Sequence, residues 1–395
     1  MIGLERALQR RAPFFLYLGA VVALMGCISY FGWTRTWSAI FILQPSPAFL
    51  DMRSIQGAVI SARQGLNPHM SNPNDPYRRV SNYPLIWVKI GEALNLPDDS
   101  RFRQFCSLVI LSFVGVNAYI LRRFPSFALV ACLLSTATLL GIVRANTDLI
   151  IYLLVFVFAL ACPKTLSPVP ILVATALKFY PVFSLVTFLI KRQFLLFLLS
   201  LMATLAIFAY MWDELAIIWS IPLETGDSYL TYGFNSLAPY SSLQGLGLVT
   251  LLCLAIFVTA VYLKKLEGLH RHQQEDEFES SLFLAGASIY VGTFIVWANW
   301  DYRLVFLIFC VPFLEARRFP FSGLLAVLIV IAMNDLVLHN LLGTTGRGIV
   351  LFAKVGVFVV LSAYLGLRAF AIFGPRDERK KPLATYPLSP SNRES

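Results

Sequence analysis

Charge is what this 395-residue chain has least of: Asp, Glu, Lys and Arg make up 14% of it, whereas a soluble domain carries about 25%. Histidine is also scarce. The four residues His69, His270, His272 and His339 show no zinc-ligand spacing along a helix, and His270 and His272 sit among mixed charges where solvation is expected. All six cysteines (Cys27, Cys106, Cys132, Cys162, Cys253 and Cys310) lie inside apolar runs without a C-x-x-C pair, so they read as small apolar residues. These absences exclude a soluble enzyme, a disordered chain and a secreted disulfide scaffold. They leave no sequence case for a metal or any other cofactor.

What fills the chain instead is hydrocarbon, with 57% hydrophobic residues and a mean hydropathy of +0.70. A spanning helix needs about 20 apolar residues to cross about 30 Å of bilayer core. Runs near that length are Phe14–Trp33, Phe105–Leu121, Phe127–Val143, Thr147–Cys162, Phe194–Met211, Leu243–Leu263, Leu282–Trp297, Tyr302–Ala316, Phe321–Leu338 and Ile349–Phe373. The first is preceded by basic residues and has no small-residue cleavage site, which suits an anchor better than a removed signal peptide. Between Lys164 and Lys191-Arg192, residues Pro168–Ile190 are expected to dip in and return as two short helices, with Lys178-Phe179-Tyr180-Pro181 at the turn. Backbone of that kind at membrane depth must be buried in protein or line a cavity.

The expected fold is therefore all-α and polytopic, with about 10 full spans plus a re-entrant pair, about 12 membrane helices in all. Lys and Arg exceed Asp and Glu by enough to give a net charge of +10. This excess is expected mainly from basic cytoplasmic loops, without nucleic acid as a partner. With Arg6, Arg10 and Arg11 inside, the same side receives Arg122, Arg123, Lys164, Lys191, Arg192, Lys264, Lys265, Arg271, Arg317, Arg318 and the basic tail. Only Arg144, Arg303 and Arg347 fall outside in short connections. Both termini are thus expected in the cytoplasm, with residues 1–373 as the membrane domain, an outer loop over residues 34–103 and a disordered tail over 374–395.

The outer side holds the residues of chemical interest. All seven Trp map there (Trp33, Trp37, Trp87, Trp212, Trp219, Trp297 and Trp300). An aromatic belt would occupy both interfaces, so a one-sided set suggests a surface where lipid heads or sugars stack. Met52, Ile55, Val59 and Ala62 share one helical face, which predicts an amphipathic helix from Met52 to Gln64 lying on the outer leaflet. Asp51 would open it, either as an N-cap worth about 1 kcal/mol or as a general base. A second amphipathic outer segment, Trp212–Leu223, precedes Glu224-Thr225-Gly226-Asp227 and the stretch containing Asn235.

Ionisable groups in apolar surroundings cost about 2.5–3.5 kcal/mol each at a span centre and usually face a cavity or a partner. Arg144 and Asp148 are four apart at a helix start and can pair with each other. Lys178 is at the expected turn, Asp301 and Arg303 flank Tyr302, and Arg347 follows His339. Taken together, Arg144, Lys178, Arg303 and Arg347 facing one outer cavity would suit a phosphate.

Several of these segments carry a family likeness. Asp51 ahead of a helix, Gly65-Leu66-Asn67-Pro68 and Tyr83-Pro84 resemble the first outer loop of glycosyltransferase family 87, C-type (GT-C) membrane enzymes that use polyprenyl-phosphate sugars. Arg144-Ala145-Asn146-Thr147-Asp148-Leu149, Ala176-Leu177-Lys178-Phe179-Tyr180-Pro181 and Asn299-Trp300-Asp301-Tyr302-Arg303-Leu304 are similar to further segments of that family. The resemblance spans about residues 1–373. The chain departs from it at Tyr83-Pro84-Leu85, where the family has a second proline, and in its His69–Arg79 insert.

The resemblance implies a transferase moving a hexose such as mannose from a polyprenyl-phosphate donor to a lipid or glycan acceptor, with inversion, on the exterior face of a bacterial plasma membrane. Asp51 would be the base, and Lys178, Arg144, Arg303 and Arg347 would hold the donor phosphate. Tyr180, Tyr83, Asn235, Asp148, Asp301 and His339 would orient substrates among the surrounding membrane lipids. The competing readings are a lipid-linked oligosaccharide flippase, for which paired inverted repeats are expected and not seen, and a polysaccharide polymerase or ligase.

Overall fold

The computed structural model describes residues 2–42, 46–162, 164–221, 231–234, 245–267, 276–296, 299–316 and 322–372. Asn235, Trp297, His270, His272, Glu224–Asp227 and the tail from 374 lie outside them. The described chain is mostly helical. Helix α1 (Ile2–Phe31) is followed by the short α2 (Trp33–Ala39), then α3 (Leu50–Arg63) and α4 (Ile86–Ala93) in the first loop, and α5 (Asp99–Arg123), which Asp98 caps through the Arg101 amide. Next come α6 (Phe127–Leu133), α7 (Thr136–Val143), α8 (Thr147–Ala161) and α9 (Pro168–Leu177). A 3-10 turn (Tyr180–Leu185) leads into α10 (Val186–Ile190), α11 (Phe194–Tyr210) and α12 (Trp212–Ser220).

Strand β1 (Thr231–Tyr232) pairs antiparallel with β2 (Asn299–Trp300), and α13 (Gly245–Glu267) and α14 (Glu277–Val296) lie between them in sequence. A 3-10 segment (Asp301–Cys310), α15 (Val311–Ala316), α16 (Ser322–Ala332) and α17 (Asp335–Phe370) complete the described chain.

Among the described residues, four helical segments are long and apolar enough to cross a bilayer: Arg11–Phe31, Asp99–Arg123, Glu277–Val296 and Asp335–Phe370. The number reaches six if α7 with α8, bent by 110°, and α11 with α12, bent by 72°, each make one span. These long apolar helices are compatible with a membrane protein.

Several expected runs are interrupted, for local reasons. Phe127–Val143 breaks at Leu134-Ser135 because the Ser135 hydroxyl accepts the Thr138 amide and caps a new helix. Tyr302–Ala316 winds as a 3-10 segment before Pro312 enters the first turn of α15, where its missing N–H costs nothing. Helix α17 begins at Asp335, ahead of the expected Ile349, and is broken at Gly343 (φ 58°), a backbone angle that favours glycine.

The core lies where α5, α8, α14 and the 3-10 segment Asp301–Cys310 meet. Tyr152 stacks on Phe309 at 4.1 Å and donates to the Asn117 amide oxygen at 2.6 Å. Helix α11 buries little more than Ser200 and Thr204 and leaves Leu195 and Leu199 exposed, a surface suited to lipid.

Candidate functional site

The first loop builds one wall. Helix α3 covers the predicted stretch but does not lie on a lipid surface with one face free. Its residues Leu50 to Ala58 are buried apart from Arg53, because the following loop closes over the face opposite α4. Gly57 permits that approach, since a Cβ there would stand 2.6 Å from the Asn74 carbonyl oxygen. Asp75 anchors the loop, accepting the Tyr77 and Arg79 amides and the Arg79 guanidinium. Burial alone would raise the Asp75 carboxyl, but the bonds from Arg79 and Ser54 and the Arg79 charge hold it below its ordinary value.

Asp51 does not cap its helix. The N-cap position is Phe49, in left-handed backbone and without a side-chain cap, and the Asp51 amide donates to the Arg144 carbonyl at 3.1 Å. The Asp51 carboxylate is thereby free of the cap role and meets the Arg144 guanidinium, with Nε 3.0 Å from each oxygen, while the Asn146 amide donates to Oδ2. Arg144 and Asp148 do not pair either. Arg144 ends α7 and Asp148 begins α8, and the 110° bend between those helices sends the two side chains apart.

Asp148 is the second carboxylate. Asn146 caps α8 by accepting the Asp148 amide at 2.8 Å, which fixes the first turn. The Asp148 side chain then accepts from Lys178, from the Tyr180 hydroxyl at 2.8 Å and from Arg303 Nε at 3.4 Å.

Lys178 is brought there by a break that proline explains. Pro181 has no N–H for the Leu177 carbonyl, so α9 stops and Lys178 takes extended backbone. The Trp87 indole donates to that carbonyl instead, at 3.0 Å, tying α4 to the turn. The Lys178 ammonium then faces the rings of Tyr83, Tyr180 and Tyr302 at 5.3, 5.9 and 6.0 Å. Arg303 lies 4.6 Å from the Tyr180 ring centroid and donates to the Asn299 amide oxygen.

Four separate segments thus meet in one electrostatic neighbourhood, in which Asp51 and Asp148 both act on Tyr83, Tyr302 and Lys178. Of the expected residues, Asp51, Tyr83, Arg144, Asp148, Lys178, Tyr180 and Arg303 come together. Asp301 does not join them. It is buried and turned to Lys354, which also holds Asp335. Arg347 and His339 are half-buried in α17.

Sequence reasoning missed Asn146, Tyr302, Asn299, Arg79 and the Lys354–Asp335 pair. Asn146, Tyr302 and Asn299 each adjoin or lie next but one to a chosen charge, which is the signal that could have found them. Arg79, close enough to act on Asp51 and Tyr83, had no such signal.

The Trp set divides. Trp37 and Trp87 are core residues, Trp300 stacks over Tyr302, and Trp212 and Trp219 are 68% and 64% exposed. Among the described residues no three His, Cys, Asp or Glu side chains converge as metal ligands. The arrangement offers paired carboxylates for proton transfer and three cations for an anionic group. Comparison with family models, curated proteins and solved structures finds no match to this chain.

Proposed function

We propose that the protein is a membrane glycosyltransferase that moves a hexose such as mannose from a polyprenyl-phosphate donor to a hydroxyl of a lipid or glycan acceptor on the outer face. In this reading the chain has about ten spans and a re-entrant pair centred on Lys178, and both termini are cytoplasmic. The observation that carries the proposal is the junction of Asp51–Arg144 with Asp148–Lys178–Arg303 beneath the Tyr83, Tyr180 and Tyr302 rings.

The two carboxylates suit different roles. Asp148 already takes bonds from Lys178, Tyr180 and Arg303, so its lone pairs are largely committed to holding cations. Asp51 is oriented by the Arg144 guanidinium and the Asn146 amide and holds one cation where Asp148 holds two. It is the better base. The acceptor oxygen attacks the anomeric carbon and passes its proton to Asp51, while the bond from that carbon to the phosphate oxygen breaks and its electron pair leaves with the phosphate. Displacement from the opposite side inverts the anomeric centre. Lys178 and Arg303 keep N–H groups beyond those given to Asp148, and these would meet the growing phosphate charge where little water screens it.

The test supplies polyprenyl-phosphate-linked mannose and a panel of lipid and glycan acceptors to the purified protein. Asp51→Asn should lower transfer by about 100-fold or more, the scale of a lost general base. Full activity in Asp51→Asn ends that assignment. Lys178→Ala should weaken donor binding, and an unchanged donor affinity would remove Lys178 from the phosphate site.

A further inference from the structure

Outside the cluster around Asp51 and Asp148, one buried group of charges joins three distant parts of the chain. The Lys354 ammonium, 2% exposed, donates to both oxygens of Asp301 at 2.8 and 2.9 Å, to Asp335 Oδ2 at 2.7 Å and to the Thr231 carbonyl at 3.2 Å. Its own backbone carbonyl accepts from the Tyr290 hydroxyl at 2.7 Å, so the base of the side chain is fixed as well as its tip. Buried ionic groups of this kind contribute little net stability compared with a well-packed apolar replacement, and are kept where they set one arrangement over others.

What this ammonium sets is the short ribbon of β1 and β2. Thr231 pairs with Trp300 and Tyr232 with Asn299. Lys354 grips Thr231 on one strand and Asp301 immediately after the other. Asn299, inside the ribbon, donates to the Thr293 carbonyl at 2.7 Å and accepts from the Arg303 guanidinium. Arg303 reaches from there to Asp148. A continuous path of bonded groups therefore runs from Lys354 through Asp301 and the ribbon to Arg303.

We infer that Lys354, with Asp301 and Asp335, is a positioning residue that sets the ribbon and through it the direction of Arg303. The inference rests on the transferase reading only for what Arg303 then does. Among the described residues Lys354 makes no hydrogen bond or ion pair with Asp51, Arg144 or Asn146, so its role differs from that of the phosphate cations.

Removing Lys354 alone would leave two buried carboxylates uncompensated and endanger folding. The informative variant therefore neutralises all three groups together: Lys354→Met with Asp301→Asn and Asp335→Asn. Hydrogen exchange of the full-length protein reads the ribbon directly. Residues 231–234 and 299–304 should exchange about tenfold faster or more, while α5 keeps its protection. Unchanged protection of 299–304 overturns the inference, as does equal acceleration in every helix, which would make the triad a general support of the fold.

A second readout is a cycle with Arg303→Gln in the polyprenyl-phosphate-mannose assay. Each change should raise the donor KM, and the combined protein should be no worse than the more impaired parent, because both act through one guanidinium. Losses that multiply independently overturn the inference. Wild-type protein that transfers no polyprenyl-linked hexose defeats the transferase reading and leaves the exchange experiment to decide the positioning role alone.

Discussion

The Asp51–Arg144 pair permits a prediction whose size follows from geometry. The guanidinium Nε lies 3.0 Å from each carboxylate oxygen and a terminal nitrogen is also 3.0 Å from Oδ1, with the side chains 6% and 11% exposed. A solvated ion pair is worth about 0–1 kcal/mol. Removing one member of a buried pair costs about 3–5 kcal/mol, because the other charge is left without compensation. Arg144→Gln and Asp51→Asn should each therefore destabilise by about 3 kcal/mol or more, and the double variant should recover about 2 kcal/mol of their sum. The Asp51 amide bond to the Arg144 carbonyl survives both substitutions, so the helix crossing stays in place and the cycle reports the side chains. Equilibrium unfolding of the four proteins in mixed micelles measures the coupling. Arg53 and Asp99 supply an internal reference, at 3.4 Å with side chains 25% and 48% exposed, where coupling should stay below about 1 kcal/mol. A coupling at Asp51–Arg144 below about 0.5 kcal/mol, within ordinary additivity, would refute the view that burial makes this pair different.

Three further outcomes test other parts of the molecule. Gly286→Ala on α14 should destabilise by about 1–3 kcal/mol, since its Cβ would stand 2.5 Å from the Phe306 carbonyl oxygen, a backbone atom unable to swing aside. Gly19→Ala on α1, with nothing within 4 Å, should be neutral or stabilising by a few tenths of a kcal/mol in the same unfolding experiment. His69 has the Ser81 carbonyl oxygen 2.7 Å from Nδ1 and Glu214 3.2 Å from Nε2. Burial alone would lower its pKa, but the bonds to Glu214 and Ser81 hold it above the ordinary value. A raised folded-state pKa gives stability that is complete below the unfolded value, near pH 6.5, and fades as pH rises through the folded value. The stability difference between wild type and His69→Gln should therefore shrink on raising the pH through that window, and a difference that grows would refute the assignment.

How much of this was legible beforehand depends on the range of the interaction. The break at Lys178 could be read locally, because Pro181 denies the Leu177 carbonyl its donor within four residues. Helix α3 could be read as well, through its apolar spacing, but its surroundings could not. The loop that covers it arrives from Asn74 and Asp75, and no periodicity in residues 51–64 announces that cover. Spans read from apolar length were the least secure, since a single Ser135 or Pro312 can reset the helix inside a run that remains mostly apolar.

The charges show the same limit more sharply. Arg144 and Asp148, four apart, satisfy the rule for a helical pair, and that rule fails because a helix ends and another begins between them. The bend turns one local pair into two long-range ones, Arg144 with Asp51 and Asp148 with Lys178 and Arg303. Had α7 and α8 been one straight helix, the two charges could have neutralised each other, leaving the first loop held to the later helices by core packing and bonds such as Trp87 to the Leu177 carbonyl, without these ion pairs. The break frees Arg144 and Asp148 from each other for partners on distant elements. In the transferase reading this is also what allows Arg144 to orient Asp51 toward an acceptor hydroxyl while Asp148 keeps two cations close to a phosphate.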